Sequence, residues 1–191
     1  MESTFPPEII STTRTDLRKQ DAAMAPLYFR KIERDRQRLK KFLPWAAGIM
    51  DIQHENVYLL KTSKDWETRT LFSWGIFLHG DGESADLVGS IGIHNIIWAN
   101  DSCEIGYLVF TPYEGQGFIS EALQALEKVL FEMGFNRLEI RCNVLNQRSV
   151  EICRRNNYVQ EGVLRQQMWE NGKLRDTMVF SKLRGEYISK D

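Results

Sequence analysis

The sequence predicts a single α/β domain with a mixed central β-sheet flanked by helices, and three observations support this fold class. The chain has 191 residues, of which 42% are hydrophobic and 27% are charged, so residues 1–191 suit one globular domain. Short runs rich in β-branched and aromatic residues alternate with segments of helical periodicity. A strand, a glycine-rich turn and an amphipathic helix follow one another over residues 103–133.

The N-terminal half is predicted to be mainly helical and then to change to strands. A short strand is expected near Ile9–Thr13, and residues 22–66 have a helical pattern that is interrupted around Pro44. Leu71–Leu78 and Leu87–Ile97 are rich in β-branched and aromatic residues and are separated by the turn-prone sequence His-Gly-Asp-Gly. These two runs are predicted to be neighbouring strands.

The next two elements carry the clearest pattern. Cys103–Phe110 is apolar on both faces, which predicts a buried central strand. Ile119–Met133 places its apolar residues on one helical face, and Gly134 is a typical residue at the end of a helix.

The C-terminal part is predicted to add a strand, a helix and a hairpin. Apolar and polar residues alternate over 138–144, and Asn146 is a suitable N-cap for a helix over 147–156. Two final strands, Tyr158–Trp169 and Lys173–Leu183, are joined by an Asn-Gly pair that favours a tight turn.

Composition excludes several classes of protein. Twenty-five basic and 26 acidic residues give a net charge of −1, so global charge indicates neither a nucleic acid nor a membrane partner. The sequence shows no secretory signal and no membrane-spanning stretch. Three cysteines and three scattered histidines lack metal-ligand spacing, which predicts a reduced cytoplasmic protein with no metal.

The turn after the central strand is the most informative segment. It reads Glu-Gly-Gln-Gly-Phe-Ile over residues 114–119. Glycines allow close backbone approach to a ligand, and the following helix presents free N–H groups and the positive end of its dipole. This arrangement suits the pyrophosphate of a nucleotide-like cofactor, although the same glycines could serve only to turn a strand into a helix. The sequence lacks the Gly-Lys-Ser/Thr of a Walker loop and the third glycine of a dinucleotide fingerprint.

Several motifs in one order resemble the GNAT superfamily of N-acetyltransferases, and in particular its RimJ/RimL-type branch, which acetylates the N-terminal amines of ribosomal proteins. The similarity covers nearly the whole chain and is strongest from residue 88 onward. The motifs are the glycine turn, Glu104-Ile105-Gly106-Tyr107, Asn146-Gln147-Arg148-Ser149, Arg155-Asn156 with Tyr158, Glu161-Gly162, and Asn171-Gly172 with Asp176. Two positions depart from the family pattern, because Glu114 stands in an Arg/Gln position and Ile119 in a Gly/Ala position.

The resemblance implies an acetyltransferase that uses acetyl-coenzyme A and no metal. It implies acetyl transfer to a primary amine, most specifically the N-terminal α-amine of a protein, and a possible homodimer. The expected cofactor-binding residues are Leu108, Val109, Phe110, Gly115, Gln116, Gly117, Phe118, Ile119, Ser120 and Asn146. The expected substrate-binding residues are Trp45, His94 and Asp176.

The acid and the base of the reaction have more than one candidate. Glu161 is the first candidate base because the resembled branch keeps a Glu there, and its alternative is a solvated turn residue. Glu104 is the second, because a carboxylate in an apolar strand either faces a cleft or pairs with a cation. His94 is the third, although a lone histidine on a strand is more often a structural residue. Ser149 is the candidate acid for the thiolate, with Cys142 as a weaker one, since the tyrosine of many family members is replaced here by Cys153.

Two other functions stay open, and one charged segment is left unassigned. The first is acetylation of a small amine such as a polyamine, an aminoglycoside or a peptide antibiotic. The second is a coenzyme A-binding regulatory module without turnover. The basic run over residues 30–41 is interpreted as an exposed helix face, with docking of an acidic partner as the alternative.

Overall fold

A computed structural model describes residues 5–43, 46, 48–80, 86–170 and 172–188. Within these residues there is one mixed eight-stranded sheet in the order β1-β2-β3-β4-β5-β6-β8-β7. Its strands are β1 (Ile9–Ser11), β2 (Thr15–Lys19), β3 (Phe72–Leu78), β4 (Leu87–Ile97), β5 (Ser102–Val109), β6 (Arg137–Asn143), β7 (Val159–Glu170) and β8 (Lys173–Leu183). The helices are α1 (Ala25–Leu39), α2 (Ile52–Glu67), α3 (Phe118–Glu132), α4 (Gln147–Arg155) and α5 (Arg184–Ile188).

Helix α3 packs against one face of the sheet because its apolar residues share one side. Leu123, Leu126 and Leu130 are fully buried in the main core cluster, and each such burial stabilises the fold by about 1.5–3 kcal/mol. The same helix carries Glu127, which is buried and accepts a hydrogen bond of 2.6 Å from Lys182 Nζ on β8. Apolar packing and this ion pair therefore fix α3 relative to the sheet.

The sheet opens between its two parallel strands. β5 pairs with β6 only at residues 102–104, opposite residues 137–139. Beyond Glu104, β5 continues along β4, whereas β6 continues along β8. The C-terminal half of β5 is therefore left without a neighbour on its β6 side, and this gap positions the site described below.

Most predicted elements are confirmed within a few residues, and two were not anticipated. β2 has the sequence Thr-Asp-Leu-Arg-Lys, in which Leu17 is the one large apolar residue, and its pairing with β3 is a tertiary effect. The short helix α5 was also missed. The expectation that the strand at Cys103–Phe110 is buried on both faces is wrong. Cys103 and Ile105 are buried, but residues 106–109 are only half-buried because they line cavities.

Local signals for helix ends are confirmed. Gly134 has φ of 101°, a left-handed conformation that glycine adopts without strain after the end of α3. The Asn146 side chain accepts a hydrogen bond of 3.3 Å from the Ser149 backbone N–H and so caps α4. Pro44 and Asn171, which were predicted to interrupt a helix and to form a turn, lie outside the described residues.

Candidate functional site

A groove lies where β5 and β6 separate, and two adjoining cavities form it. The larger has a volume of about 360 Å³ and the smaller about 230 Å³. They share the lining residues Val109, Glu114, Ile119, Arg148 and Ile152. The groove is therefore bounded by the end of β5, the glycine turn, the start of α3 and the start of α4.

The glycine turn forms the floor of the smaller cavity. Gly115 and Gly117 have φ of 73° and 84°, values that side-chain-bearing residues rarely adopt. A Cβ atom at Gly115 would meet nothing within 4 Å, and one at Gly117 would lie 3.6 Å from Nη2 of Arg14. Arg14 also donates to the Gln116 carbonyl at 3.1 Å. The turn thus leaves open space beside backbone N–H groups and a nearby cation, as an anion site requires.

The edge of β5 presents backbone groups to the larger cavity. The Phe110 N–H donates a hydrogen bond of 2.9 Å to the Val88 carbonyl of β4, so this group points away from the gap. Because N–H groups of successive strand residues point to opposite sides, the Val109 N–H is directed toward the gap. The Val109 carbonyl, on the same side, accepts a hydrogen bond of 2.6 Å from Nη2 of Arg38. Leu108 and Val109 line the groove, whereas Phe110 is buried in the core, which corrects its expected role.

Ser149, the predicted acid, lies on the wall of the larger cavity together with a tyrosine. The Tyr107 hydroxyl is 2.8 Å from Ser149 Oγ and 4.0 Å from Cys153 Sγ. Burial raises the pKa of Tyr107 well above its ordinary value, so this hydroxyl stays protonated. Cys142 is also buried and hydrogen-bonds the Cys153 thiol. The structure therefore brings two hydroxyl groups together at the groove.

A charged cluster lies across the groove. Glu114 Oε1 accepts a hydrogen bond of 2.9 Å from Nη1 of Arg38, and the same oxygen forms an ion pair with Arg148. Arg38 belongs to the basic run of α1, which was expected to be solvated. Its side chain is instead partly buried, with 31% exposed, and also bonds Asp35 and Thr111. The interpretation of the whole run as one exposed face is therefore wrong at this position.

A third cavity of about 230 Å³ lies beside the groove, and Leu43, Tyr107 and Leu108 line both. The other residues around it are Tyr58, Leu71, Ser73, Ser90, Ile91, Gly92, Ile93, His94 and Gly106. His94 Nε2 is 3.9 Å from Glu104 Oε1, and a Cβ at Gly106 would approach that nitrogen to 3.3 Å. Glu104 Oε2 also accepts a hydrogen bond of 3.0 Å from Asn95 Nδ2 and lies 3.7 Å from Arg141 Nε.

Glu161 lies in a different environment from Ser149 and His94. It is on β7, where Arg137 donates to both of its carboxylate oxygens at 2.6 and 2.5 Å and Ser181 donates at 2.7 Å. The hydrogen bonds from Arg137 lower the pKa of Glu161 to about 2. It therefore stays ionised as part of an ion pair, and it does not line any of the cavities described above.

The remaining predicted residues are placed as follows. The first turn of α3 lines the smaller cavity with Phe118, Ile119 and Ser120. Ser120 Oγ accepts a hydrogen bond of 3.1 Å from Asn156 Nδ2. Asn146 lines the larger cavity. The Asp176 side chain accepts a hydrogen bond of 2.8 Å from the backbone N–H of Gln166, which has φ of 50°. Asp176 therefore stabilises the bulge of β7. Trp45 lies outside the described residues.

Sequence reasoning missed three groups that line the groove, which are Arg38, Arg148 and Tyr107. It also missed Glu170, a buried residue at the end of β7 that accepts a hydrogen bond from Asn143 at the end of β6. Tyr107 and Arg148 belong to motifs that were recognised, so their positions in those motifs could have drawn attention to them. Arg38 and Glu170 carry no comparable signal.

Comparisons with known proteins agree with this geometry. Residues 14–159 match the acetyltransferase (GNAT) domain family. The ribosomal-protein-serine acetyltransferase of Escherichia coli (strain K12) is 31% identical over an alignment of 126 residues, which covers 61% of this chain and 70% of that protein. An uncharacterized N-acetyltransferase, p20, of Bacillus licheniformis is 33% identical over 106 residues, or 55% of this chain and 60% of that protein.

Solved structures show the same architecture. A ribosomal L7/L12 α-N-protein acetyltransferase, RimL, in complex with coenzyme A has a TM-score of 0.87 at 25% identity and covers 92% of this chain and 98% of its own. The microcin C7 self immunity acetyltransferase MccE, in complex with acetyl-CoA and AMP, has a TM-score of 0.87 at 21% identity, which shows the fold alone. It covers 95% of this chain and 99% of its own.

None of the helices in the described part of the chain combines the length and the apolar character needed to span a bilayer. In the same part, no group of three or more His, Cys, Asp or Glu side chains is arranged to hold a metal ion. The family match, the glycine turn and the gap between the parallel strands lead to one conclusion: the chain belongs to the GNAT family of N-acetyltransferases.

Proposed function

We propose that this protein transfers an acetyl group from acetyl-coenzyme A to the N-terminal α-amine of a protein or peptide. The observation that carries the proposal is the junction of two cavities at Tyr107 and Leu108, one leading to the glycine turn and the other to His94. A donor and an acceptor that enter from opposite sides would meet at this junction.

The residues of the groove fit coenzyme A. The open space at Gly115 and Gly117, the free N–H groups at the start of α3 and the cations Arg148 and Arg155 suit a pyrophosphate. The Val109 N–H, directed into the gap, can bond the amide-containing pantetheine arm or polarise the thioester carbonyl. The cofactor would supply an acetyl thioester, whose carbonyl carbon is electrophilic.

Ser149 and Tyr107 would return a proton to the leaving thiolate. Ser149 lies on the groove wall, and the Tyr107 hydroxyl is within hydrogen-bond distance of it. Ser149 can donate its proton toward the groove while it accepts one from Tyr107. This pair replaces the helix tyrosine whose position is occupied by Cys153.

We assign the base to His94, with Glu104 as its positioning partner, in place of Glu161. His94 lines the cavity that adjoins the groove, and Glu104 is the carboxylate beside it. A base must be neutral or anionic and within reach of the amine, directly or through one water. Glu161 is anionic, but Arg137 and Ser181 hold its carboxylate away from these cavities.

The chemistry of the third cavity, which contains His94, supports a peptide acceptor over a polycation. Its described lining consists of apolar, hydroxyl and imidazole side chains and contains no carboxylate. A polyamine or an aminoglycoside carries several positive charges, which a site without carboxylates would leave unpaired. A volume of about 230 Å³ is also in the range of one or two small residues. The similarity to the Escherichia coli ribosomal-protein-serine acetyltransferase points the same way.

A turnover assay with a panel of acceptors tests the proposal. Acetyl-coenzyme A would be combined with peptides that begin with Ser, Ala or Met, with the same peptides blocked at the N-terminus, and with polyamines and aminoglycosides. We expect coenzyme A release with free N-termini and none with blocked ones. Faster turnover of polyamines or aminoglycosides would support the small-amine alternative, and cofactor binding without turnover of any acceptor would support a regulatory module.

A further inference from the structure

Glu114 occupies a position where a negative charge is unexpected. It belongs to the glycine turn and lines both cavities of the groove, and its side chain is only 15% exposed. A carboxylate beside a bound pyrophosphate is electrostatically unfavourable. The position must therefore be explained by what the carboxylate contacts.

Glu114 connects two arginines from opposite walls of the groove. Arg38 comes from α1 and Arg148 from the first turn of α4, and both bind the same carboxylate oxygen. Arg38 is held by further contacts, because it also bonds Asp35 and the Val109 carbonyl. Arg148 is different, since its side chain is 72% exposed and extends over the groove from a helix end.

The arginine fork suits phosphate as well as it suits a carboxylate. Arg148 lines the smaller cavity, next to Gly115 and Gly117, where an anion would bind. A phosphate in that cavity and the Glu114 carboxylate would therefore compete for the same guanidinium group. Two anions sharing one exposed arginine repel each other.

We propose that Glu114 is a built-in competitor for the phosphates of coenzyme A, which holds Arg148 in the free protein and gives it up when the cofactor binds. This inference rests on the proposed function, because it requires coenzyme A in the groove. Donor and product share the same phosphates, so the competition weakens both and speeds release of the product. Glu114 thus lowers the affinity for coenzyme A and speeds its replacement by acetyl-coenzyme A. This raises turnover where product release is the slow step.

Calorimetry and stopped-flow measurements with coenzyme A test this inference. We expect Glu114→Gln to bind coenzyme A about 3- to 10-fold more tightly, mainly through slower dissociation, because one repulsive charge is removed. Pantetheine, which lacks the phosphates, should bind both proteins equally. Glu151→Gln is the matched control: it removes one negative charge from α4 at an exposed residue paired with Arg154. It should leave coenzyme A affinity unchanged.

A double-mutant cycle keeps the test decisive if Glu114 also stabilises the fold. Arg148→Gln should weaken coenzyme A binding more in the Glu114→Gln background than in the wild type, because Glu114 no longer competes for the guanidinium. Equal or weaker binding by a folded Glu114→Gln variant, or equal effects of Arg148→Gln in both backgrounds, would overturn the inference. A wild-type protein that does not bind coenzyme A at all would instead refute the proposed function.

Discussion

The hydroxyl group of Tyr107 lies 2.8 Å from Ser149 Oγ, which joins the middle of the sheet to the first turn of α4. The two residues are 42 positions apart in sequence and come together at the wall of the groove. Burial keeps the tyrosine protonated, and both side chains line the larger cavity. In the proposed mechanism, this pair would pass a proton to the leaving thiolate in two steps.

The first prediction concerns this pair. Ser149→Ala should lower kcat on the order of 10²-fold, the lower end of what a positioned proton donor contributes, and Tyr107→Phe should lower it less, by about 10-fold, because Ser149 remains. Affinity for coenzyme A should change little in Tyr107→Phe, since the ring and its packing are retained. Steady-state kinetics and calorimetry check this. A loss of kcat in Tyr107→Phe that vanishes in the Ser149→Ala background would show that the two act as one path.

The second prediction concerns the glycine turn. Gly117→Asp should weaken coenzyme A binding strongly, because a side chain would fill the open space near Arg14 and add a negative charge. Gly172→Asp is a matched control, since Gly172 has φ of 74°, a Cβ there meets nothing within 4 Å, and it lies on the hairpin. Calorimetry should show normal affinity for the control. Unchanged affinity in a folded Gly117→Asp variant would contradict the assignment of the cradle.

The third prediction separates the candidate bases. His94→Gln should lower kcat/KM on the order of 10²-fold and remove the acidic limb of the pH–rate profile, which reports protonation of the base. Glu104→Gln should lower kcat/KM less and shift that limb, as expected of a positioning residue. Glu161→Gln should leave turnover unchanged, because the Glu161 carboxylate is engaged by Arg137.

The pH profile of each variant distinguishes catalysis from folding. A uniform drop in activity at every pH in His94→Gln would indicate a structural role. Loss of turnover in Glu161→Gln, with unchanged thermal stability, would restore Glu161 as the base. If none of the three variants lowers turnover, solvent water would act as the base.

Features that depend on local sequence could be predicted, and those that depend on distant contacts could not. Gly117 and Asn146 were recognised because a left-handed turn and a helix cap require particular residue types at that position. Arg38 was misplaced because its partner Glu114 is 76 positions away and its helix offers no sign of which basic residue turns inward. The ion pair of Glu161 with Arg137 could not be foreseen for the same reason, since it spans 24 positions.

The last prediction concerns Glu55, a carboxylate on the buried side of α2. Its side chain is 1% exposed, and one of its oxygens has no hydrogen-bond partner. Burial raises the pKa of Glu55 from 4.5 to about 7. The folded protein therefore keeps a proton on this group at pH values where the unfolded chain has already lost it.

The sign of the effect follows from proton linkage. Between pH 4.5 and about 7 the folded state binds more protons at this site than the unfolded state, so the contribution of Glu55 to stability falls as pH rises. Since each pKa unit corresponds to about 1.4 kcal/mol, the full loss is on the order of 3 kcal/mol above pH 7.

Glu55→Gln, which is neutral at every pH, should therefore raise the free energy of unfolding at pH 8 relative to the wild type and have a smaller effect at pH 5. Glu67→Gln, at the exposed last residue of the same helix, serves as the control and should change neither value. Urea denaturation at the two pH values measures all three proteins, and an equal effect of Glu55→Gln at both would show that this carboxyl group is ionised, or solvated, throughout.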